Sequence, residues 1–161
     1  MAKPRIFYSF HFDNDVMRTQ LIRNIGVIEG KPPLKANEWE EVKRKAAVQQ
    51  WIRDSIANSD CVVVLVGSQT AERPLVIDEI VEAWNTKKGL LGISIHDVNC
   101  PRNSPSTKGA NPFEFVSTHE GTQKLSTRVP LHDPSALYAY NDIADRIEAW
   151  VATAIQLAKQ R

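Results

Sequence analysis

No stretch of the 161 residues approaches the ~18–20 consecutive apolar positions that a membrane-spanning helix needs. The opening MAKPRIFYSF has no signal-type apolar core or cleavage site, which predicts a cytosolic protein. Two cysteines, Cys61 and Cys100, are too few for a disulfide framework, and no CxxC or Cys/His cluster provides a zinc site. Charge of one sign is missing too. Twenty Lys and Arg against nineteen Asp and Glu leave a net +1, which argues against a general grip on nucleic acid. The seven glycines fall in neither a G-x-G-x-x-G nor a G-x-x-x-x-G-K-[ST] arrangement, so there is no glycine cradle for a pyrophosphate. A G-x-S-x-G nucleophile elbow is absent as well. The length suits one domain spanning residues 1–161, able to bury about two-thirds of its unfolded surface without a staple.

What is present is an alternation of strand and helix signals. Arg5 to Phe10 is a compact β-prone run, followed by polar residues in which Asn14 or Asp15 could cap a helix over 16–24. Val27-Ile28 fits a short edge strand. Asn37 caps a long helical stretch ending near Asn58-Ser59, with Glu38, Glu40 and Glu41 at its positive end. Cys61 to Val66 is continuously apolar and β-branched, as a strand buried on both faces should be. Pro74 opens a short helix over 75–86. Gly89 to Ile95 reads as another buried strand. Residues 97–121 form a long loop with a helical turn near Phe113. A last short strand is expected at 127–131. The final helix, 140–159, should bury Ile143, Ile147, Trp150, Ala154 and Leu157. This order predicts an α/β fold with a parallel sheet and helices on both faces.

Ligands of such folds lie beyond the carboxyl ends of the strands. That directs attention to Ser9, Phe10 and His11 after the first strand, to Ser68 and Thr70 after Val66, and to the helix at 75–86. A receiver-type phosphoacceptor would need an Asp at the central strand end, where this chain has Gly67-Ser68. In the helix, Val76, Ile77, Ile80, Ala83 and Trp84 share one side at ~100° per residue. Asp78 and Glu82 lie on the other, and Glu79 is on the shoulder. A shoulder carboxylate near a strand-end cleft can be aimed at a ligand. Periodicity alone nonetheless favours an ordinary solvated glutamate. His11 and His96 could reach the cleft but read as well as loop histidines. His119 and His132 have no partner spacing. The four tryptophans fit helical core faces, Cys61 fits a small hydrophobe, and Lys43-Arg44-Lys45 fits a solvated face.

At these positions the sequence resembles the TIR domain family. Phe7-Tyr8-Ser9-Phe10-His11 with Asp15 and Arg18 resembles its first-strand motif. Ser59 to Gly67 with Thr70 resembles the next core strand and turn, and Val76-x-x-Glu79-Ile80-x-x-Ala83 resembles the helix bearing the TIR catalytic glutamate. Gly89-Leu90-Leu91-Gly92-Ile93-x-Ile95-His96 and Lys108-Gly109-x-Asn111-Pro112-Phe113 are similar to the ThsB-like branch of the bacterial Thoeris anti-phage system. Leu75 and Val76 depart from the family's habit of placing Trp three or four residues before the glutamate.

The resemblance implies a flavodoxin-like fold and an enzyme that consumes NAD. It implies Glu79 as the catalytic residue and Ser9, Phe10, His11, Asp15, Ser68 and Thr70 as substrate-binding positions, with no metal and no cofactor other than NAD as substrate. Water as acceptor would give ADP-ribose, and an internal nucleophile a cyclic isomer that signals to a separate effector protein. Homo-oligomer formation is compatible with the resemblance, and neither nucleic acid nor membrane is an expected partner. A TIR-like module that only assembles with other proteins, or a sensor that binds nucleotide without cleaving it, remains an alternative.

Overall fold

The computed structural model describes residues 4–11, 18–19, 21–22, 29–30, 48–98, 107–118 and 121–161. Among these residues five strands form one parallel sheet: β1 (Arg5–Ser9), β2 (Glu29–Gly30), β3 (Cys61–Val66), β4 (Gly89–Ser94) and β5 (Leu131–His132). Their order is β2-β1-β3-β4-β5, the flavodoxin-like arrangement. β3 and β4 occupy its middle, and every residue of both is buried. This is why their sequences carry no polar alternation. A two-residue edge strand at Glu29–Gly30 pairs with Arg5 and Ile6, and the edge strand expected at Val27-Ile28 lies outside the described residues.

Successive strand residues point to opposite faces, and each face carries its own helices. On one face Phe7, Val62, Val64, Val66 and Leu90 pack against α1 (Val48–Ala57) and α2 (Pro74–Asn85), through Ile52, Ile56, Val76, Ile80 and Ala83. On the other, Ile6, Tyr8, Val63, Leu65, Leu91 and Ile93 pack against α3 (Ala139–Ala158), and Ile22 from a helical segment joins them. Asp60 pins the start of the sheet. Its carboxylate accepts from Arg5 N at 2.8 Å, and its own N–H donates to Arg5 O at 2.8 Å. That backbone donor holds the Asp60 carboxyl below the usual carboxylate range. α2 stops where Lys87 turns left-handed at φ 59°, and Lys88 N closes the helix onto Ala83 O at 3.0 Å.

Two elements differ from expectation. The last strand is Leu131–His132 rather than 127–131, because Leu125 and Val129 enter the core from a 3-10 turn at Leu125–Thr127. In α3 the buried stripe is Ala139, Ile143, Ile147, Val151, Ala154 and Ala158, while Leu157 is 45% exposed. Trp150 lies at the edge of that stripe and stacks on His132, with ring centroids 4.2 Å apart and planes 8° apart.

Candidate active site

The carboxyl ends of β1 and β3 lie side by side, with Ser9 in register with Val64. Beyond β3 the chain makes a short turn, a 3-10 turn at Thr70–Glu72, and enters α2 at Pro74, whose missing N–H costs nothing in a first helical turn. α2 therefore starts beside the strand ends and runs back along the Phe7 face. Its buried positions are Val76, Glu79, Ile80 and Ala83, the i, i+3, i+4, i+7 stripe of a packed helix. Glu79 is not on the shoulder of that stripe but within it, only 7% exposed. Ile77 and Trp84, expected inside, are half-buried instead.

Burial pushes the Glu79 carboxyl up to about 8, and the charge of Asp78 reinforces the shift. The Ser9 hydroxyl acts in the opposite direction, favouring the ionised form. Its approach nevertheless falls short of hydrogen-bond geometry. Glu79 Oε2 and Ser9 Oγ are both enclosed and without a hydrogen-bond partner among the described residues. A buried carboxyl with an unused oxygen is costly in a resting protein. It is well suited to meet a positive charge.

Of the other candidate positions, Phe10 and His11 follow β1, and Ser68 and Thr70 follow β3. Ser9 is the last residue of β1 and wholly buried. Phe10 follows it, half-buried against the α3 face, and His11 is buried next to it. Ser68 is half-buried in the turn after β3. Thr70 is fully enclosed: its Oγ1 accepts from Gly67 N at 2.8 Å and donates to Leu65 O at 3.4 Å. It braces the turn from within. Asp15, and Asp13 with it, lie outside the described residues.

The helical turn expected near Phe113 is present at Pro112–Phe115, while the packing of its segment was not legible in the sequence. Gly109 packs onto the Gly67-Ser68 turn, where a β-carbon would overlap the Gly67 carbonyl oxygen. Asn111 Oδ1 accepts from Phe113 N at 2.9 Å and opens a 3-10 turn at Pro112–Phe115. Phe113 is fully buried, and its ring lies over Gly92 in β4, where a β-carbon would come within 2.9 Å of it. Lys108 Nζ reaches Asp133 at 2.8 Å, joining this segment to the end of β5. The available signal was Gly92 itself, since a glycine inside an apolar strand marks a close approach. His96 follows β4 and pairs through Nε2 with Asp97 Oδ2 at 3.1 Å.

Among the described residues no cluster of His, Cys, Asp and Glu could hold a metal ion, and no helix is long and apolar enough to cross a membrane. Burial raises the Cys61 thiol to about 12, which removes it as a nucleophile. Glu79 is thus a buried carboxyl with an unpartnered oxygen beside the end of β1.

Residues 7–100 match the family described as "Thoeris protein ThsB, TIR-like domain". The chain is also similar to the protein named "Putative cyclic ADP-D-ribose synthase ThsB1" of Bacillus cereus (strain MSX-D12). The two are 30% identical over 139 residues, which cover 82% of this chain and 70% of that protein. The matched span runs from within the first strand through the glutamate-bearing helix and β4, and β5 lies beyond it. By both measures this chain belongs to the ThsB family of TIR-like domains of the Thoeris system.

Proposed function

We propose that this chain is a cytoplasmic NAD-consuming enzyme of anti-phage defence, which breaks the nicotinamide–ribose bond and releases a cyclic ADP-ribose signal for a separate effector. The observation that carries the reading is Glu79: a buried carboxyl with an unpartnered oxygen, facing the end of β1. The name of the Bacillus cereus relative, a cyclic ADP-D-ribose synthase, supports the same reaction class.

The chemistry follows from charge. The nicotinamide ring of NAD is cationic, and a positive charge brought to Glu79 favours its carboxylate form. When the glycosidic C–N bond breaks, its electron pair goes to the ring nitrogen and neutralises it. Positive charge then appears on the ribose as an oxocarbenium-like centre, as in glycoside cleavage. A carboxylate fixed in a poorly solvated wall stabilises that charge without reorganising. Attack by a nucleophile elsewhere in the same ADP-ribosyl group closes the cyclic product, and attack by water gives ADP-ribose. Either nucleophile gives up its proton as the new bond forms.

Incubating the purified protein with NAD and separating the products by chromatography and mass spectrometry tests the reading. Nicotinamide together with a product one water lighter than ADP-ribose is the expected result. NAD bound but recovered intact, at protein concentrations high enough for self-assembly, would overturn it in favour of a nucleotide sensor or an assembly module.

A further inference from the structure

Two enclosed polar atoms on neighbouring side chains of β1 and α2 have no hydrogen-bond partner among the described residues: Ser9 Oγ and Glu79 Oε2. Ser9 is 0% exposed, so its hydroxyl has no surface to offer a substrate, whereas Glu79 keeps a small accessible fraction. Ser9 is held by the β1–β3 ladder, in register with Val64, and Glu79 by the packed stripe of α2. The two side chains therefore approach from rigid elements.

A serine hydroxyl can donate one hydrogen bond. A protonated carboxyl gains little from it, but a carboxylate gains a charge-assisted bond, roughly twice as strong as a neutral one. We propose that Ser9 is a positioning residue for Glu79: its hydroxyl donates to the carboxylate once Glu79 ionises, fixing the orientation of the charged form as the cationic substrate arrives. This deepens the NAD-cleaving reading and rests on it for its catalytic consequence. The charged neighbour opposing ionisation is Asp78 on the same helix, and His11 stands two residues beyond Ser9 at the end of β1.

The test uses the whole protein with 13C-labelled glutamate side chains and the variants Ser9→Ala and Ser9→Thr. Removing an unpartnered hydroxyl should leave folding nearly unchanged. In Ser9→Ala the Glu79 titration midpoint, followed by NMR without substrate, should rise by about one on the pH scale, a roughly tenfold loss of carboxylate at pH 7. NAD turnover should then fall about tenfold at pH 7 and recover to within about twofold well above the new midpoint. Ser9→Thr, which keeps the hydroxyl, should restore both. An unmoved Glu79 midpoint, or a turnover loss equal at every pH, overturns the proposal. If the protein proves not to consume NAD, the titration alone still decides whether Ser9 acts on Glu79, so the two readings fail separately.

Discussion

Gly109 lies against the carbonyl of Gly67, residues far apart in sequence and brought together just beyond the end of β3. The obstacle at Gly109 is backbone, which cannot rotate away. At Gly92 the obstacles are the side chains of Phe113 and Leu131, which can shift. Gly109→Ala should therefore be the more damaging change. It should cost about 2–3 kcal/mol, near the upper end of the usual overpacking range, with Gly92→Ala nearer 1 kcal/mol. Urea melts of the two variants check the order. Equal losses would mean that the 107–111 segment moves aside freely.

Glu79 and Glu82 differ in environment by less than one helical turn. Glu79 is buried in the packed stripe, and Glu82 is partly exposed. Glu79→Gln keeps the size and removes the charge, so NAD turnover should fall by on the order of 100-fold or more, the scale of a lost electrostatic stabiliser. Glu82→Gln should leave turnover nearly intact. Steady-state rates at saturating NAD measure both, and equal loss would place the reacting group on the wrong face of α2.

The legible parts of this fold were those dictated by burial along the chain itself. Cys61–Val66 and Gly89–Ser94 are apolar without a break because the sheet covers them on both faces, and Pro74 marked its helix start. β5 was misplaced because Val129 and Leu131 look like one strand in sequence, although the ladder holds only Leu131 and His132. The helix bearing Glu79 was legible, but the depth of Glu79 was not: periodicity set it on the shoulder of the buried face, and only the packing shows it inside the stripe. The meeting of Gly109 with Gly67 and of Phe113 with Gly92 is tertiary, and only the two glycines hinted at it.

His132 presents an acid-sensitive joint. Its ring stacks on Trp150, and the Arg146 guanidinium lies 4.8 Å from the same indole, held by Asp142 at 2.7 Å. Burial, with Arg146 beside it, keeps the imidazole below its ordinary 6.5. The unfolded chain therefore takes up a proton at a higher pH than the folded one. Stability should fall as pH drops below about 6.5. His132→Phe keeps the stack and removes the proton site. Its urea midpoint should decline less between pH 7.5 and 5 than that of the unmodified protein, and parallel declines would show that His132 does not carry the effect.

Glu79 gives the opposite slope. Its carboxyl is near 4.5 when unfolded and about 8 in the fold, so between those values the folded protein holds a proton that the unfolded chain has released. Stability attributable to this group is fully present below about pH 4.5 and is lost as pH rises through about 8. The loss across that window should be on the order of a few kcal/mol, because the side chain is almost wholly enclosed and a tenfold change in its protonation equilibrium corresponds to about 1.4 kcal/mol. Glu79→Gln has no proton to lose. It should match the unmodified protein near pH 5 and exceed it in stability at pH 9, even as it abolishes most turnover. Urea denaturation of both proteins at pH 5, 7 and 9 measures the difference. A gap that does not widen with pH would mean that the carboxyl is already ionised in the free protein. Glu79 would then not be a group poised to ionise on meeting a cation.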